Sequence, residues 1–280
     1  MEPDGLVQAF SLGPSAYART MGEFSKLEVP LRLRRGGRRG NEEWTAAALG
    51  LLDLLATSTG RPDLSDASVL DVGCGNKFTA AIVNEDVSIR RYVGVDTDEE
   101  VIRFLIEEVD DPRLTFHFLN AHNELYNPAG RPLDSFGRLP VGDERFDIIC
   151  LFSVFTHLAP HDYRAMLELL RPHVAPEGRL VFSLFVDQGA TPEQREAIDA
   201  DLRRRVEAGD TELMKEIERR VAAGGAAPDF VDRIPEKPLL EAVYSEPYAR
   251  ELIEGSGWEA LELHAPVRPI VQHYFICRPV

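Results

Sequence analysis

The sequence has very few cysteines and no long apolar run. Its only cysteines are Cys74, Cys150 and Cys277, which lie far apart and are odd in number. This spacing argues against a disulfide framework or a zinc site and predicts reduced, buried thiols in a cytoplasmic protein. No apolar stretch approaches the roughly 18 residues that a membrane span needs. The acidic start, MEPDGLVQAF, has no apolar core of a signal peptide, so none is expected.

Positive charge is also scarce. The chain has 31 Lys and Arg against 47 Asp and Glu, which gives a formal net charge of −16 and a pI near 4.9. Such a surface repels phosphate backbones and anionic lipids, so neither nucleic acid nor a membrane is an expected partner. The hydrophobic fraction of 44% is ample for a core. A chain of this length suits one large α/β domain with additions.

What the sequence does have is a regular alternation of apolar strands and helices. The predicted strands span 68–73, 91–96, 114–119, 146–152, 179–186, 258–264 and 271–277. Helices are predicted from Asn41 to about residue 56 and over 78–85, 98–108, 160–171 and 245–255. Continuous apolar strands separated by helices predict a mainly parallel sheet that is covered on both faces.

One long segment, residues 188–243, interrupts this alternation. Two sets of apolar residues recur in it at every fourth position: Ile198, Leu202 and Val206, then Leu213, Ile217 and Val221. This pattern predicts a helical hairpin that is either a lid, a contact in a homodimer, or a solvated addition to the sheet. The predicted organisation is an N-terminal segment with a docking helix (1–60), a core (61–187 and 244–280) and the helical insert (188–243).

The first strand ends in a glycine turn, VLDVGCGNKF, that departs from the dinucleotide-binding pattern. Gly73 and Gly75 allow a close approach of backbone to ligand, but Phe78 stands where G-x-G-x-x-G has its third glycine. Asp71 adds a carboxylate that suits an ammonium group, and Asp96 at the next strand end suits ribose hydroxyls. The turn therefore predicts a nucleoside with a free ribose and an amino acid tail, as in S-adenosylmethionine, and disfavours a nicotinamide dinucleotide.

Four segments in order resemble the motifs of class I S-adenosylmethionine-dependent methyltransferases: VLDVGCGNK, YVGVDTD, FDIICLFSVFTHL and APEGRLVFSLF. The stretch SVFTHL, preceded by NELYNPAG, is similar to a bacterial subgroup with a methyltransferase domain. The resemblance covers residues 68–186 and, more loosely, 244–280. It implies a Rossmann-like, doubly wound, seven-stranded sheet of order 3-2-1-4-5-7-6 whose last strand is antiparallel.

The same resemblance implies a set of cofactor-binding residues for S-adenosylmethionine and its product S-adenosylhomocysteine. The residues expected along the methionine part are Asp71, Gly73, Cys74 and Gly75, and Asp96 is expected at the ribose. Around the adenine we expect Thr97, Asn120 and Ala121. Beneath the methionine and methyl group we expect Phe152 and Ser153. The family more often has Asp where Asn120 stands. No metal is expected, because no His or carboxylate cluster has ligand spacing.

The residues around the methyl acceptor are less clearly indicated. Methyl transfer is an in-line displacement that needs a general base only when the nucleophile arrives protonated. His157, after the fourth strand, is either that base, a substrate-orienting group, or a structural residue that caps the following helix or hydrogen-bonds to backbone. His161 is a second candidate or simply a first-turn helix residue. Tyr126, in a long loop, either walls the cleft or packs. Arg35, in LRLRRGGRR, either binds a substrate carboxylate or phosphate or is solvated.

These observations predict a methyltransferase that acts on an oxygen or nitrogen nucleophile of a small molecule, such as a natural product or a glycan. Two alternatives remain open at this point. One is a protein or RNA methyltransferase. The acidic net charge and the sequence LFSV of the fourth motif argue against RNA as the substrate. The other is a protein that binds S-adenosylmethionine without turning it over.

Overall fold

The computed structural model describes residues 26–34, 41–187, 239–266 and 272–280, together with Ala200, Arg204, 207–209, 230–232, Ile234 and Lys237. The described positions between 200 and 207 (Ala200, Arg204 and Glu207) are helical. Most of the predicted helical insert lies outside the described residues, and so does Arg35.

The described strands form one mixed sheet that is flanked by helices. The strands are β1 (Leu64–Val72), β2 (Ile89–Asp96), β3 (Leu114–Phe118), β4 (Phe146–Leu151), β5 (Val174–Asp187), β6 (Phe230–Asp232), β7 (Ala242–Ser245), β8 (Trp258–His264) and β9 (His273–Pro279). The helices are α1 (Asn41–Ser58), α2 (Lys77–Asn84), α3 (Glu99–Glu108), α4 (Pro160–Leu170) and α5 (Glu246–Glu254).

The order of the main strands is β3-β2-β1-β4-β5-β9-β8. Strands β1 to β5 are parallel. Strand β9 runs antiparallel to β5, with Leu180 opposite Cys277, and β8 runs antiparallel to β9. Numbered as the seven predicted strands, this order is 3-2-1-4-5-7-6 with an antiparallel last strand. The predicted fold class and strand order are therefore confirmed.

The sheet has two short strands that the sequence analysis did not predict. Strand β6 pairs antiparallel with β7, and β7 pairs in parallel with the end of β5, where Phe185 lies opposite Val243. Strand β9 pairs with β5 over Leu180–Leu184, before the part of β5 that pairs with β7. Strands of three and four residues are too short to give a periodic signal. The described part of the sheet thus has nine strands rather than seven, and the end of the 188–243 segment is strand rather than helix.

Both faces of the sheet are buried, as the continuous apolar strands predict. Side chains alternate along a strand, so Val69 and Cys150 face α1, α2 and α3, whereas Leu70 and Ile149 face α4 and α5. All four of these side chains are fully buried, and each such burial contributes about 1.5–3 kcal/mol when the side chain is a large aliphatic one. A sheet covered on both faces leaves the carboxyl ends of its strands open for a ligand.

The segment before α1 is fixed to α2 by asparagine side chains. Asn84 accepts from the backbone N–H of Leu27 (2.7 Å) and donates to its carbonyl (3.0 Å). Asn76 donates to the carbonyl of Leu33 (2.8 Å). Helix α1 packs on α2 and buries Trp44. Residues 26–34 and helix α1 are therefore fixed beside α2.

Candidate functional site

A cavity of about 560 Å³ lies at the carboxyl ends of β1, β2, β4 and β5. It is bounded by the turn after β1, the end of β2, the residues after β3 and β4, and the residues before β7. This volume lies within the roughly 300–1,000 Å³ that is usual for small-molecule sites.

Most of the predicted site residues line this cavity: Asp71, Gly73, Cys74, Gly75, Asp96, Thr97, Ala121, Tyr126, Phe152, Ser153 and His157. Asn120 is exposed, and its side-chain oxygen accepts from Asn127 (3.0 Å). The Nε2 atom of His161 lies 3.2 Å from a carboxylate oxygen of Asp134 at an exposed position. The structure therefore brings neither Asn120 nor His161 to the cavity, and Arg35 lies outside the described residues.

The glycine turn after β1 needs its glycines for two different reasons. Gly73 (φ 74°) and Gly75 (φ 48°) both adopt the left-handed conformation, which glycine enters without steric cost. A Cβ atom on Gly73 would also overlap Cγ2 of Val154, whereas Gly75 faces open space. The backbone N–H of Gly73 donates to the carbonyl of Val95 (2.7 Å), so the turn is anchored to β2. This turn delivers the start of α2 to the cavity.

Asp96, the last residue of β2, is tied to the glycine turn through its carboxylate. One oxygen accepts from the backbone N–H of Gly75 (2.7 Å), and the other accepts from that of Asp98 (2.9 Å). Burial raises the pKa of Asp96, and the hydrogen bonds from the backbone oppose this shift. Each oxygen keeps a further acceptor position. The carboxylate is therefore held in place with the capacity to bind two hydroxyl groups of a ligand.

Asp71 lies deeper than Asp96 and is only 3% exposed. Its carboxyl group accepts a hydrogen bond from the hydroxyl of Tyr92 (2.6 Å). Burial raises the pKa of Asp71 from 3.8 to about 7, although the Tyr92 hydrogen bond acts in the opposite direction. The predicted role, a counter-ion for an ammonium group, requires the ionised form, which is about half populated at pH 7.

Replacing Asp71 by asparagine is expected to change how stability depends on pH. Because the folded-state pKa of about 7 lies above the ordinary value of 3.8, the folded protein binds this proton more tightly than the unfolded chain. The free energy of unfolding then falls as pH rises from about 4 to about 7. The neutral variant escapes this loss, so its stability relative to wild type should grow by a few kcal/mol over that range. Urea denaturation at pH 5, 6, 7 and 8 measures the difference, and a difference that is constant with pH would contradict the assignment.

At the end of β4, Ser153 adopts a left-handed backbone conformation (φ 59°), which costs a non-glycine residue about 1–3 kcal/mol. Its backbone N–H donates to the hydroxyl of Ser183 (2.8 Å). The hydroxyls of Ser183 (2.7 Å) and Ser153 (3.2 Å) both donate to the side-chain oxygen of Gln272. Gln272 also lines the cavity, and with its oxygen used in this way its amide N–H₂ is the remaining, donor end.

His157 follows β4 in a single 3₁₀ turn, Phe155–His157. Its Nδ1 atom lies 3.0 Å from the carbonyl oxygen of Leu239. A carbonyl only accepts, so Nδ1 carries the hydrogen and the neutral ring has its lone pair on Nε2. Burial lowers the pKa of His157 below 6.5, which keeps the ring neutral at pH 7. Its ring packs edge-on against that of Tyr126, with 6.5 Å between centroids. The imidazole is thus in the state that a general base requires.

The carbonyl that orients His157 comes from the connection between β6 and β7. Leu239 has φ 56°, another uncommon value for a non-glycine residue. Its backbone N–H donates to the carboxylate of Asp232 (2.8 Å), the last residue of β6. Asp232 therefore holds the residue whose carbonyl fixes the histidine tautomer. Sequence reasoning missed both residues because they lie in the segment that was predicted to be a helical insert.

Several further residues that the sequence analysis did not single out as site residues line the cavity: Trp44, Asn76, Thr156, Asp162, Ser183, Glu241 and Gln272. Trp44 and Thr156 each carry a buried polar atom, Nε1 and Oγ1 respectively, that makes no hydrogen bond within the described part of the chain. Both atoms are fully enclosed by the protein, so neither is exposed to the cavity.

Three findings concern metals, thiols and membranes. Among the described residues, no group of three or more His, Cys, Asp or Glu side chains is arranged to hold a metal ion. All three cysteines are free and buried, as the sequence predicts. None of the helices in the described ranges combines the length and the apolar character that crossing a bilayer requires.

A doubly wound sheet with a glycine turn before α2 and a carboxylate at the end of β2 defines a Rossmann-like nucleoside-binding fold. The chain belongs to the family described as "Methyltransferase domain", whose family model matches residues 42–218, more than half of its length. The matched range includes the glycine turn, Asp96 and His157.

Solved structures of other proteins are similar to this chain at low sequence identity. One is 1,6-didemethyltoxoflavin-N1-methyltransferase from Burkholderia thailandensis with bound 1,6-didemethyltoxoflavin and S-adenosylhomocysteine, at 19% identity and a TM-score of 0.46 over 86% of this chain and 80% of that chain. Another is magnesium protoporphyrin IX methyltransferase from Synechocystis PCC 6803 with bound S-adenosylhomocysteine, at 11% identity and a TM-score of 0.47. The match covers 89% of this chain and 92% of that chain. A third is described as a pericyclic reaction enzyme, at 12% identity and a TM-score of 0.47. The match covers 81% of this chain and 47% of that chain. This chain therefore spans about half the length of that third enzyme.

Proposed function

We propose that this protein transfers the methyl group of S-adenosylmethionine to an oxygen or nitrogen nucleophile of a small molecule. The observation that carries the proposal is that a single cavity is lined by both Asp96 and His157. Strand β1 lies between β2 and β4, so the ends of the strands that carry these residues are about 10 Å apart. A carboxylate that binds a ribose and a neutral base thus lie at separate points along one cleft.

The residues around the glycine turn fit the cofactor in three respects. The carboxylate of Asp96 retains acceptor positions for the two ribose hydroxyls. Gly73 and Gly75 bring backbone close to the cavity, and the start of α2 presents the positive end of its helix dipole, which suits a carboxylate group. Val101, Leu119 and Ala121 offer an apolar surface to an adenine ring. Phe78, where a dinucleotide site has its third glycine, is buried and lines the cavity, with its ring edge-on to that of Phe152 at 5.8 Å between centroids.

When bound, S-adenosylmethionine supplies an electrophilic methyl group whose bond to sulfur breaks, leaving the electron pair on sulfur, as the acceptor's oxygen or nitrogen bonds to carbon. The contribution of the chain is mainly alignment. His157 accepts the proton of a hydroxyl or N–H nucleophile at Nε2, because its Nδ1–H is held by the Leu239 carbonyl. The resulting imidazolium keeps this hydrogen bond and lies near Glu241, whose charge stabilises it.

The test combines binding with methyl transfer. Saturating S-adenosylhomocysteine is expected to raise the melting temperature by about 5–10 °C, which corresponds to a ligand at about 100 times its Kd, while NAD causes no shift. S-adenosylmethionine labelled in its methyl group is then incubated with the protein and a metabolite extract. The label is expected in the low-molecular-weight fraction. Label in protein or RNA would instead favour a macromolecular substrate, and binding without any transfer would indicate a protein that holds the nucleoside without turning it over.

A further inference from the structure

Ser153, Ser183 and Gln272 form a hydrogen-bonded group in the cavity wall, where β4 ends beside β5. The Oγ atom of Ser183 accepts from the backbone N–H of Ser153 (2.8 Å) and lies 2.7 Å from the side-chain oxygen of Gln272. The Oγ atom of Ser153 lies 3.2 Å from the same oxygen. All three residues line the cavity. We call this group the serine–glutamine cluster.

The orientation of the Gln272 amide follows from the hydrogen bonds of Ser183. A hydroxyl has one hydrogen to donate, and because Ser183 is fully buried, this hydrogen needs an acceptor within the protein. The side-chain oxygen of Gln272 is that acceptor. With the amide turned over, the hydroxyl would face an N–H₂ group, which cannot accept, and would be left unpaired. The amide is therefore held with its oxygen toward the serines and its nitrogen away from them.

The amide nitrogen of Gln272 is left with two N–H donors. It makes no hydrogen bond to any residue that the structure describes. Gln272 is 9% exposed, and its nitrogen is not among the described side-chain atoms that are both enclosed and unpaired. Because Gln272 lines the cavity, a ligand atom there can pair with this nitrogen. The cluster thus offers a donor whose orientation is fixed before any ligand binds.

The place of the serine–glutamine cluster in the sheet separates it from the nucleoside site. Strands β2, β1, β4 and β5 follow one another in this order, so Ser183 on β5 lies about 14 Å, or three strand spacings, from Asp96 at the end of β2. In the proposed complex the ribose lies at Asp96 and the amino acid tail at the glycine turn after β1. The cluster lies beyond both, on the side of the methyl acceptor.

The cavity lining beside the cluster is aromatic. Ser183 lies opposite Tyr274 in the β5–β9 pair, so it is on the face of the sheet that α1 and α2 cover. Phe78 of α2 and Phe152, which directly precedes Ser153, line the cavity from this face. Their rings are edge-on, with 5.8 Å between centroids. A flat apolar ring packs well against such side chains.

We propose that Gln272 binds the methyl acceptor, and that this acceptor is a flat ring compound with a carbonyl oxygen. The amide N–H₂ of Gln272 donates to the carbonyl oxygen, and the ring packs against Phe78 and Phe152. This inference rests on the proposed function and adds a specificity-determining residue to it. Because the serines hold the amide in advance, little side-chain freedom is lost when the hydrogen bond to the acceptor forms.

The experiment compares two probes of nearly the same shape, acetophenone and α-methylstyrene, which differ by a carbonyl oxygen in place of a CH₂ group. Dissociation constants are measured by ligand-observed NMR on protein saturated with S-adenosylhomocysteine. The carbonyl preference is the Kd of α-methylstyrene divided by that of acetophenone, so effects common to both probes cancel. Gln272→Met keeps the length of the side chain without a donor. It is expected to lower the carbonyl preference about three- to tenfold, the usual contribution of one neutral hydrogen bond.

Gln272→Glu is a second variant that keeps the cluster, because a carboxyl group still accepts from both serines. A protonated carboxyl group can donate to the probe, whereas an ionised one cannot. The carbonyl preference of this variant is therefore expected to fall as pH rises from about 5 to about 9, while that of the wild type stays level. A purely structural role of Gln272 would not produce this dependence on pH.

Asn123→Asp is the matched control for Gln272→Glu. Asn123 also lines the cavity, and its side-chain oxygen accepts from the backbone N–H groups of Leu125 (3.0 Å) and Tyr126 (3.1 Å). The variant makes the same exchange of an amide for a carboxyl group and keeps these bonds. Its carbonyl preference should stay level with pH.

Three results would overturn the inference: an unchanged carbonyl preference in Gln272→Met, a carbonyl preference in Gln272→Glu that stays level with pH, or no binding by either probe. The proposed function is judged separately, from the affinity for S-adenosylhomocysteine measured on the same samples before any probe is added. The probe titrations are repeated without the nucleoside, so that a failure of cofactor binding leaves the carbonyl preference measurable.

Discussion

Replacing Asp96 by alanine is expected to abolish the thermal stabilisation of the protein by S-adenosylhomocysteine. In the proposed complex the carboxylate accepts two hydrogen bonds from the ribose, and each bond to a charged acceptor contributes about 1.5–3 kcal/mol. Their loss corresponds to an increase of two to four orders of magnitude in Kd, at about 1.4 kcal/mol for each factor of ten. The variant also releases the backbone N–H of Gly75, which donates to this carboxylate, so the glycine turn loses one of its links to β2 and keeps the bond from Gly73 to the Val95 carbonyl. Isothermal titration calorimetry measures the change in Kd.

Asp147→Ala is the matched control for this experiment. Like Asp96, Asp147 is a strand residue whose carboxylate accepts a hydrogen bond from backbone, in this case from the N–H of Ser68 (2.8 Å). Asp147 lies near the start of β4, however, so it is at the end of the strands opposite the cavity. This variant should lower the melting temperature of the ligand-free protein and keep the full shift with S-adenosylhomocysteine. Equal shifts in the Asp96 and Asp147 variants would show that Asp96 does not bind the nucleoside.

Replacing His157 by glutamine is expected to lower kcat by about 10²–10⁴-fold, the usual contribution of a positioned general base. The affinity for S-adenosylhomocysteine should be unchanged, because His157 follows β4 whereas the carboxylate proposed to bind the ribose ends β2. His161→Gln is the control: this side chain lies four residues further along, is bound to Asp134, and does not line the cavity. The assay uses whichever acceptor the labelled-methyl screen identifies.

The pH dependence of kcat/KM gives a second readout for His157. A general base must be unprotonated, and burial lowers the pKa of this imidazole below 6.5. Activity is therefore expected to stay level from pH 8 down to about pH 6.5 and to fall at lower pH, as Nε2 becomes protonated. In His157→Gln this acid limb should disappear from the residual activity. A limb that persists unchanged in the variant would assign the titration to another group.

The parts of the site that the sequence predicts are those where backbone geometry restricts the residue type. Gly73 and Gly75 are recognisable because a left-handed turn beside a ligand favours glycine, and Asp96 because it ends the strand after that turn. The central strands were predicted for a similar reason: β1, β4 and β5 are largely buried on both faces and have continuous apolar runs, whereas the edge strand β8 is partly exposed. Asn120 resembled a cofactor residue by position alone, and the structure leaves it exposed.

The parts that the sequence did not predict depend on contacts between residues far apart in the chain. Ser153 enters a left-handed conformation that nothing in LFSV announces, and Gln272, 119 residues away, accepts the hydrogen bond of its hydroxyl. Asp162 and Glu241 line one cavity only because α4 and the β6–β7 connection pack on the same side of the sheet. Thr156 reads as an ordinary helix-flanking residue until its burial is known. No local sequence pattern predicts such long-range contacts, because neither partner stands out within its own segment.

The tautomer of His157 that the proposed proton transfer requires depends on the docking of the β6–β7 hairpin. The nitrogen that accepts a proton on His157 is defined by a carbonyl 82 residues further along the chain, and that carbonyl is in place only while the hairpin is docked. Docking relies on Tyr244, whose hydroxyl donates to the carbonyl of Leu158 (2.6 Å) and whose ring packs on that of Phe230 (5.0 Å between centroids). A chain whose hairpin had detached would retain its nucleoside site but have an imidazole free to exchange tautomers. The proposed proton transfer at Nε2 therefore depends on the pairing of the β6–β7 hairpin with β5.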